Sequence, residues 1–262
     1  MINTKPFMQA LLIVFAGAAA ALSGCAADKT VELNIAASGS LTDALTEAGN
    51  LYMENNDHVM ILNNFAAAGD LQTQINKGGT ADVFISAAPE YMDALEDEGL
   101  ILTETRRNLL KNRLALIVPE KNTLDLAGFE DLTADRVSQI AMGDPAFVPA
   151  GIYGRRTLEL LGISYTELRP KMILASNVRQ VLSYVESGNV DAGIVFTSDT
   201  LRSGAVKVIA LAPDQVNDMI VYPAAVVASS NYPAEALDFI DFLAGAEAES
   251  IFKKYGFIAT GN

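Results

Sequence analysis

Short apolar segments alternate with amphipathic ones along nearly the whole chain, and this alternation restricts the fold more than any other feature. Residues 31–37, 59–65, 82–86, 113–119, 140–143, 172–175, 192–196 and 222–228 have the length and content of strands. Between them, 41–55, 70–77, 89–98, 151–161 and 178–187 carry apolar residues at helical spacing, and 234–243 and 246–255 add two helices near the end. Such alternation predicts an α/β protein with mostly parallel sheets flanked by helices, because a parallel strand pair needs a crossover that a helix supplies. No repeat, low-complexity tract or long linker interrupts it.

The first 24 residues stand outside this pattern. Lys5 precedes an uncharged apolar run from Ala10 to Leu22. That run falls short of the roughly 20 residues a membrane span needs and has the layout of a secretory signal. It ends in Leu22-Ser23-Gly24-Cys25, which resembles the lipobox at which bacterial lipoproteins are cut and acylated. Cys25 is the only cysteine, so it has no internal disulfide partner, and lipidation gives an odd cysteine in an exported chain a purpose. The expected product is a periplasmic or cell-surface protein, anchored to a membrane through Cys25, with residues 25–30 as tether.

Charge narrows the function. The formal net charge is −14, and about −15 once the leader takes Lys5 away. Nucleic acid is excluded as a partner, since phosphate contacts need clustered Lys and Arg. Any anion bound here must be held by local dipoles rather than drawn in by net charge.

Four loops offer such dipoles. Each runs from an apolar strand through small residues into a helix: Ser38-Gly39-Ser40, Ala67-Ala68-Gly69-Asp70, Val148-Pro149-Ala150-Gly151 and Ser176-Asn177-Val178. Small side chains let a ligand approach the backbone, and the first N–H groups of a helix lack internal acceptors and carry partial positive charge. Taken singly, each loop is equally an ordinary helix cap; only the set points to a ligand.

Several segments then carry a family resemblance in order along the chain: AASGSLTDA (36–44), ADVFISA (81–87), MGDPAFVPAGIY (142–153), Val178-Arg179, GIVFTSD (193–199) and FKKYGF (252–257). Together they resemble the periplasmic molybdate-binding proteins of ABC importers, the GDP…VPAGIY segment most specifically. The resemblance implies a two-lobed periplasmic binding protein of type II, with the ligand in the cleft between lobes. One lobe would comprise residues 29–112 plus 224–262, the other 113–223. It further implies a monomer that captures molybdate or tungstate with neutral donors and passes it to a membrane permease driven by an ATPase. The matching donors are Ser40, through hydroxyl and backbone N–H, and the backbone N–H groups of Ala68, Ala150 and Val178; molybdenum would be present only within the oxyanion whose oxygens these groups hold. Phe196 matches a fifth position. Ala68 and Phe196 stand where the family usually has serine and tyrosine, so two hydroxyl donors are missing. Ser38, Thr197, Ser198 and Tyr153 lie in the same loops as replacements, and Gly39 and Gly69 complete the candidate set.

No cofactor is expected, and no enzyme. His58, the sole histidine, follows Asp57 before a strand and reads as solvent-facing; no G-x-S-x-G elbow surrounds a serine, and no His/Cys cluster has metal spacing. Asp82, Asp144 and Asp199 would repel a dianion and are expected to cap helices or brace the hinge. Arg155, Arg156 and Arg179 are expected at the surface or behind the site. Two rival readings remain: the same fold binding sulfate, chromate or a small carboxylate, and an exported hydrolase.

Overall fold

The computed structural model describes residues 30–260 apart from Arg202. The leader, Cys25 and all but the last residue of the tether therefore lie outside the described residues. The chain begins with β1 (Val31–Ser38), α1 (Thr42–Asn55), β2 (Val59–Ala66), α2 (Ala68–Asn76), β3 (Val83–Ile85), α3 (Pro89–Asp97) and β4 (Arg107–Lys111). It crosses to a second sheet with β5 (Leu114–Pro119), β6 (Ile140–Gly143), α4 (Pro149–Leu160), α5 (Tyr165–Leu168), β7 (Met172–Ala175), α6 (Val178–Glu186), β8 (Ala192–Phe196), α7 (Thr197–Thr200), β9 (Val206–Leu211) and α8 (Asp214–Asn217). It then returns with β10 (Val221–Val226), α9 (Pro233–Leu243), α10 (Ala246–Lys254) and β11 (Ile258–Ala259).

Two sheets result. The first has the order β11-β4-β10-β3-β1-β2 and the second β7-β6-β8-β5-β9. Helices α1, α9 and α10 pack together against the first, while α4 and α6 cover the second through β6 and β8. The central strands are buried because both faces are covered: Ala192 to Phe196 are buried without exception, which explains their unbroken apolar run.

One expectation needs correction. The sheets are mixed rather than mostly parallel. Pairs β1–β2, β1–β3, β6–β7 and β6–β8 are parallel, but β10 runs antiparallel to β3 and β4, β11 to β4, and β5 to β8 and β9. The cause is the double crossing, since a strand arriving from the other sheet enters from the opposite end. The second crossing also comes earlier than expected: Tyr222 already pairs with Leu110 of β4, so residues 221–223 belong to the first sheet.

Registers decide what the strands deliver. Ser38 pairs with Ala66, so β1 and β2 end level and release their loops side by side. Gly143 pairs with Ala175, so β6 and β7 do the same in the second sheet. In open α/β sheets, ligands collect beyond the carboxyl ends of strands, and here both sheets present such ends to each other.

Candidate functional site

At those strand ends the two halves meet around a small cavity. Its walls include Ser38, Gly39 and Ser40 after β1, Ala66 to Ala68 after β2, Val148 to Ala150 at the start of α4, Asn177 and Val178 at the start of α6, and Phe196 at the end of β8. Ser40, Ala68, Ala150, Val178, Phe196, Ser38 and Gly39 are thus brought together from positions more than 150 residues apart. The space open to the centre of a water molecule is about 10 Å³. Adding the water's own radius of about 1.4 Å, this suits a compact guest about 2–3 Å in radius.

The donors come from local sequence. Pro149 occupies the first position of α4, where its missing N–H costs nothing, and Ala150 follows with an N–H that no helical carbonyl can reach. Gly151 makes that start feasible: a Cβ there would lie 2.1 Å from the carbonyl oxygen of Gly143, so only glycine lets the helix abut the end of β6. Asn177 caps α6, its side chain accepting from the N–H of Gln180 at 3.0 Å, and leaves Val178 as the first helical residue. Ala68 holds the same first position in α2 behind an extended Ala67. Helices α2 and α4 each start two residues earlier than sequence periodicity predicts, and those added residues include Ala68 and Ala150.

Other candidates are placed differently. Gly69 is off the cavity wall, and its N–H is already donated to the carbonyl of Phe147 at 3.1 Å, a contact between the two halves. Tyr153 is buried behind Phe196, with its hydroxyl donating to the carbonyl of Met219 at 3.1 Å. The Thr197 hydroxyl donates to Asn112 at 3.1 Å, and Ser198 accepts from the Asn112 amide at 2.8 Å. Of the four hydroxyls considered as replacements, Ser38 alone faces the cavity; its Oγ accepts from the N–H of Ala87 at 2.8 Å, which leaves its own proton to donate elsewhere.

No charged side chain is among the cavity walls. The nearby cations are paired across the halves instead: Arg179 of α6 reaches Asp43 of α1 at 2.7 Å and the Gly39 carbonyl at 3.2 Å, and Arg156 of α4 reaches Glu90 of α3 at 3.4 Å. Arg155 pairs with Glu159 along its own helix. The three aspartates act structurally. Asp82 accepts from the N–H of Asn34 and the hydroxyl of Ser230; Asp144 accepts from Ala146; Asp199 accepts from Phe196. Burial pushes the Asp199 carboxyl up to about 7, partly offset by the Arg179 cation and the Phe196 N–H. A larger cavity of about 270 Å³ also touches Ser40; three acids, Asp43, Glu186 and Asp199, line it against one cation, Arg179, which already pairs with Asp43, so the balance of charge there disfavours a dianion.

Sequence reasoning missed two residues at this site. Asn112, at the first crossing, and Tyr222, at the second, are both buried and join Ser40 in one hydrogen-bonded group. Their partners lie 182 and 110 residues away in the chain, a separation no local pattern reports.

A small cavity without charged walls, lined by the first residues of α2, α4 and α6, could accept an anion, and comparison with known proteins places the chain in a family. Residues 33–258 match the family described as bacterial extracellular solute-binding protein. The chain belongs to that family. YvgL of Bacillus subtilis, whose name provisionally assigns it to the substrate-binding lipoproteins of ABC transporters, is 37% identical over 96% of this chain and 95% of its own. The molybdate-binding protein ModA of Escherichia coli is 36% identical over 94% of this chain and 97% of its own. Among solved structures, the periplasmic molybdate-binding protein of Azotobacter vinelandii superposes with a TM-score of 0.77 at 23% identity, covering 86% of this chain and 98% of that one. That last likeness establishes the fold, the two-sheet architecture of type II periplasmic binding proteins. His58 is exposed, with the Asp57 carboxylate 4.0 Å from its ring, and the described residues contain no His/Cys/Asp/Glu group able to hold a metal ion. Among the described residues, no helix is long and apolar enough to cross a membrane.

Proposed function

We propose that this solute-binding protein captures molybdate, with tungstate as its near equivalent, in the cavity between the facing strand ends. The observation that carries the reading is the convergence of Ser40, Ala68, Ala150 and Val178 on one small cavity without charged walls. First-turn N–H groups supply the attraction that net charge denies, and the Ser40 hydroxyl adds a directed donor. Donors that stay neutral make binding strong yet reversible, as transport requires. Full-length similarity to a molybdate-binding protein at 36% identity supports the choice of ion. Cavity size then selects against sulfate, which has the same charge and shape but is smaller.

One lobe is formed by the residues up to about 112 together with those from about 221 onward, and the other by the residues between; the pairing of Tyr222 with Leu110 supports a return earlier than residue 224. The lobes close over the ion and open to release it to a permease powered by a cytoplasmic ATPase. Acylated Cys25 tethers a monomer outside the membrane. Ser38 compensates for part of the donor loss at Ala68 and Phe196.

Calorimetric titration of the exported form against molybdate, tungstate, sulfate and a small carboxylate tests the reading. Molybdate and tungstate are expected to bind at least a hundredfold more tightly than the others, and Ser40→Ala to weaken molybdate at least tenfold, the order expected for a hydrogen bond to a charged partner. Equal affinity for sulfate would refute the specificity; an unaffected Ser40→Ala would move the site elsewhere.

A further inference from the structure

The two crossings between sheets place Asn112 directly after β4 and Tyr222 near the start of β10, and both side chains are enclosed: Asn112 is 1% exposed and Tyr222 0%. The orientation of the Asn112 amide is fixed by the main chain. Its Oδ1 accepts from the N–H of Arg113 at 2.9 Å, a donor that cannot be reversed, and from the Thr197 hydroxyl at 3.1 Å. Its Nδ2 therefore faces the other way and donates to the Ser198 hydroxyl at 2.8 Å and to the Tyr222 oxygen at 3.2 Å. The Tyr222 oxygen in turn lies 3.1 Å from the Oγ of Ser40.

Proton counting gives this chain a direction. A phenol has one proton. With its oxygen receiving Asn112, the Tyr222 proton is left for the Ser40 Oγ. The reverse arrangement, Ser40 donating to Tyr222, would strand a phenolic proton in a fully buried place, the costlier alternative. Burial also holds the Tyr222 phenol well above its ordinary range, so that proton is always present. Ser40 then accepts through its oxygen and keeps its own proton for the cavity.

We infer that Asn112 and Tyr222 are positioning residues, a directional relay that makes the Ser40 hydroxyl an obligate donor to the bound anion. The inference rests on the proposed role of Ser40. A hydroxyl that is already accepting a bond is a stronger donor, so the relay both aims and strengthens the contact. It also ties the site to both crossings, since Asn112 joins Ser198 and Thr197 of the second half to Tyr222 of the first.

The test is a double-mutant cycle read by calorimetric titration with molybdate. Tyr222→Phe keeps the ring that packs edge-on against Phe196 and Phe257 and removes the hydroxyl, which is both the donor to Ser40 and one of the two acceptors for the Asn112 amide, the Ser198 hydroxyl remaining. It is expected to weaken binding about fivefold, the worth of a neutral hydrogen bond. In a Ser40→Ala background the same change is expected to alter affinity by less than twofold, because the group it orients has gone. A purely structural role predicts the same loss in both backgrounds, and that result, or no loss in the parent, would overturn the relay. Failure of Ser40→Ala itself to weaken binding would instead refute the proposed site.

Discussion

At the scale of the residue, Asp199 is the titratable group whose surroundings matter most. It caps the turn after β8, accepting from the N–H of Phe196, a residue on the cavity wall. Burial raises its carboxyl to about 7, with Asp43 pushing the same way and Arg179 opposing. The native protein therefore keeps a proton that the unfolded chain gives up near the ordinary carboxylate value of about 4. Unfolding releases this proton, so the contribution of Asp199 to stability falls as pH rises from about 4 to about 7 and is flat above. Asp199→Asn keeps an acceptor for Phe196 and abolishes the titration. Melting curves across pH 5 to 8 are expected to show the variant gaining on the parent as pH rises, with the gap constant beyond about pH 7. A gap that does not change with pH would mean that the carboxyl is ionised throughout. The sequence marks Asp199 only as an acid beside a strand end; its altered acidity comes from enclosure by segments far away in the chain.

At the scale of the element, the proposed chemistry belongs to helix starts rather than side chains, and that can be tested with proline. Val178 is the first residue of α6, and Asn177 before it is extended, with φ −159° and ψ 166°. Both positions suit proline, which favours the first helical position and an extended predecessor. Val178→Pro removes one N–H from the cavity while leaving the helix intact. It is expected to weaken molybdate binding at least tenfold, as loss of a hydrogen bond to a charged group, with a melting temperature close to the parent's. Undiminished binding would take the α6 start out of the site. Elements of this kind were legible in the sequence because small residues between an apolar strand and an amphipathic helix have a clear signature. Strands β4 and β9 were not. Arg107 to Lys111 and Val206 to Leu211 mix charged and apolar residues, since β9 is an edge strand with much of its length exposed. The one-turn helices α5, α7 and α8 are too short for periodicity to report, and the mixed strand directions depend on the crossings, which no single segment encodes. Asn112 and Tyr222 were illegible for the same reason.

At the scale of the molecule, the proposal that a protein this acidic binds a dianion raises a question of sign. Two ion pairs join the halves, Arg179 with Asp43 and Arg156 with Glu90, alongside the hydrogen bond from Gly69 to Phe147. Gly69 permits that approach, since a Cβ there would lie 2.8 Å from the Phe147 side chain. Each pair is part-exposed and worth about 0–1 kcal/mol; under the proposed closure over the ion both contacts belong to the closed form and would add to ligand affinity. Replacing the acids, Asp43→Ala with Glu90→Ala, sets two effects against each other. Removing two negative charges near the cavity favours a dianion by simple Coulomb attraction. Removing two contacts specific to the closed form disfavours it. The Coulomb gain acts through solvent over several ångströms, and an ionic strength of about 0.15 M screens it within about 8 Å, whereas the contacts are direct. The closed form should therefore lose more than the anion gains, and the double variant is expected to bind molybdate several-fold more weakly at about 0.15 M salt. Because salt screens the parent's ion pairs, the difference between parent and variant should shrink toward zero near 1 M. Titrations at both salt concentrations decide it: tighter binding by the variant would show that the charge of the whole molecule outweighs closure, and that the acidic surface, not the hinge, limits affinity.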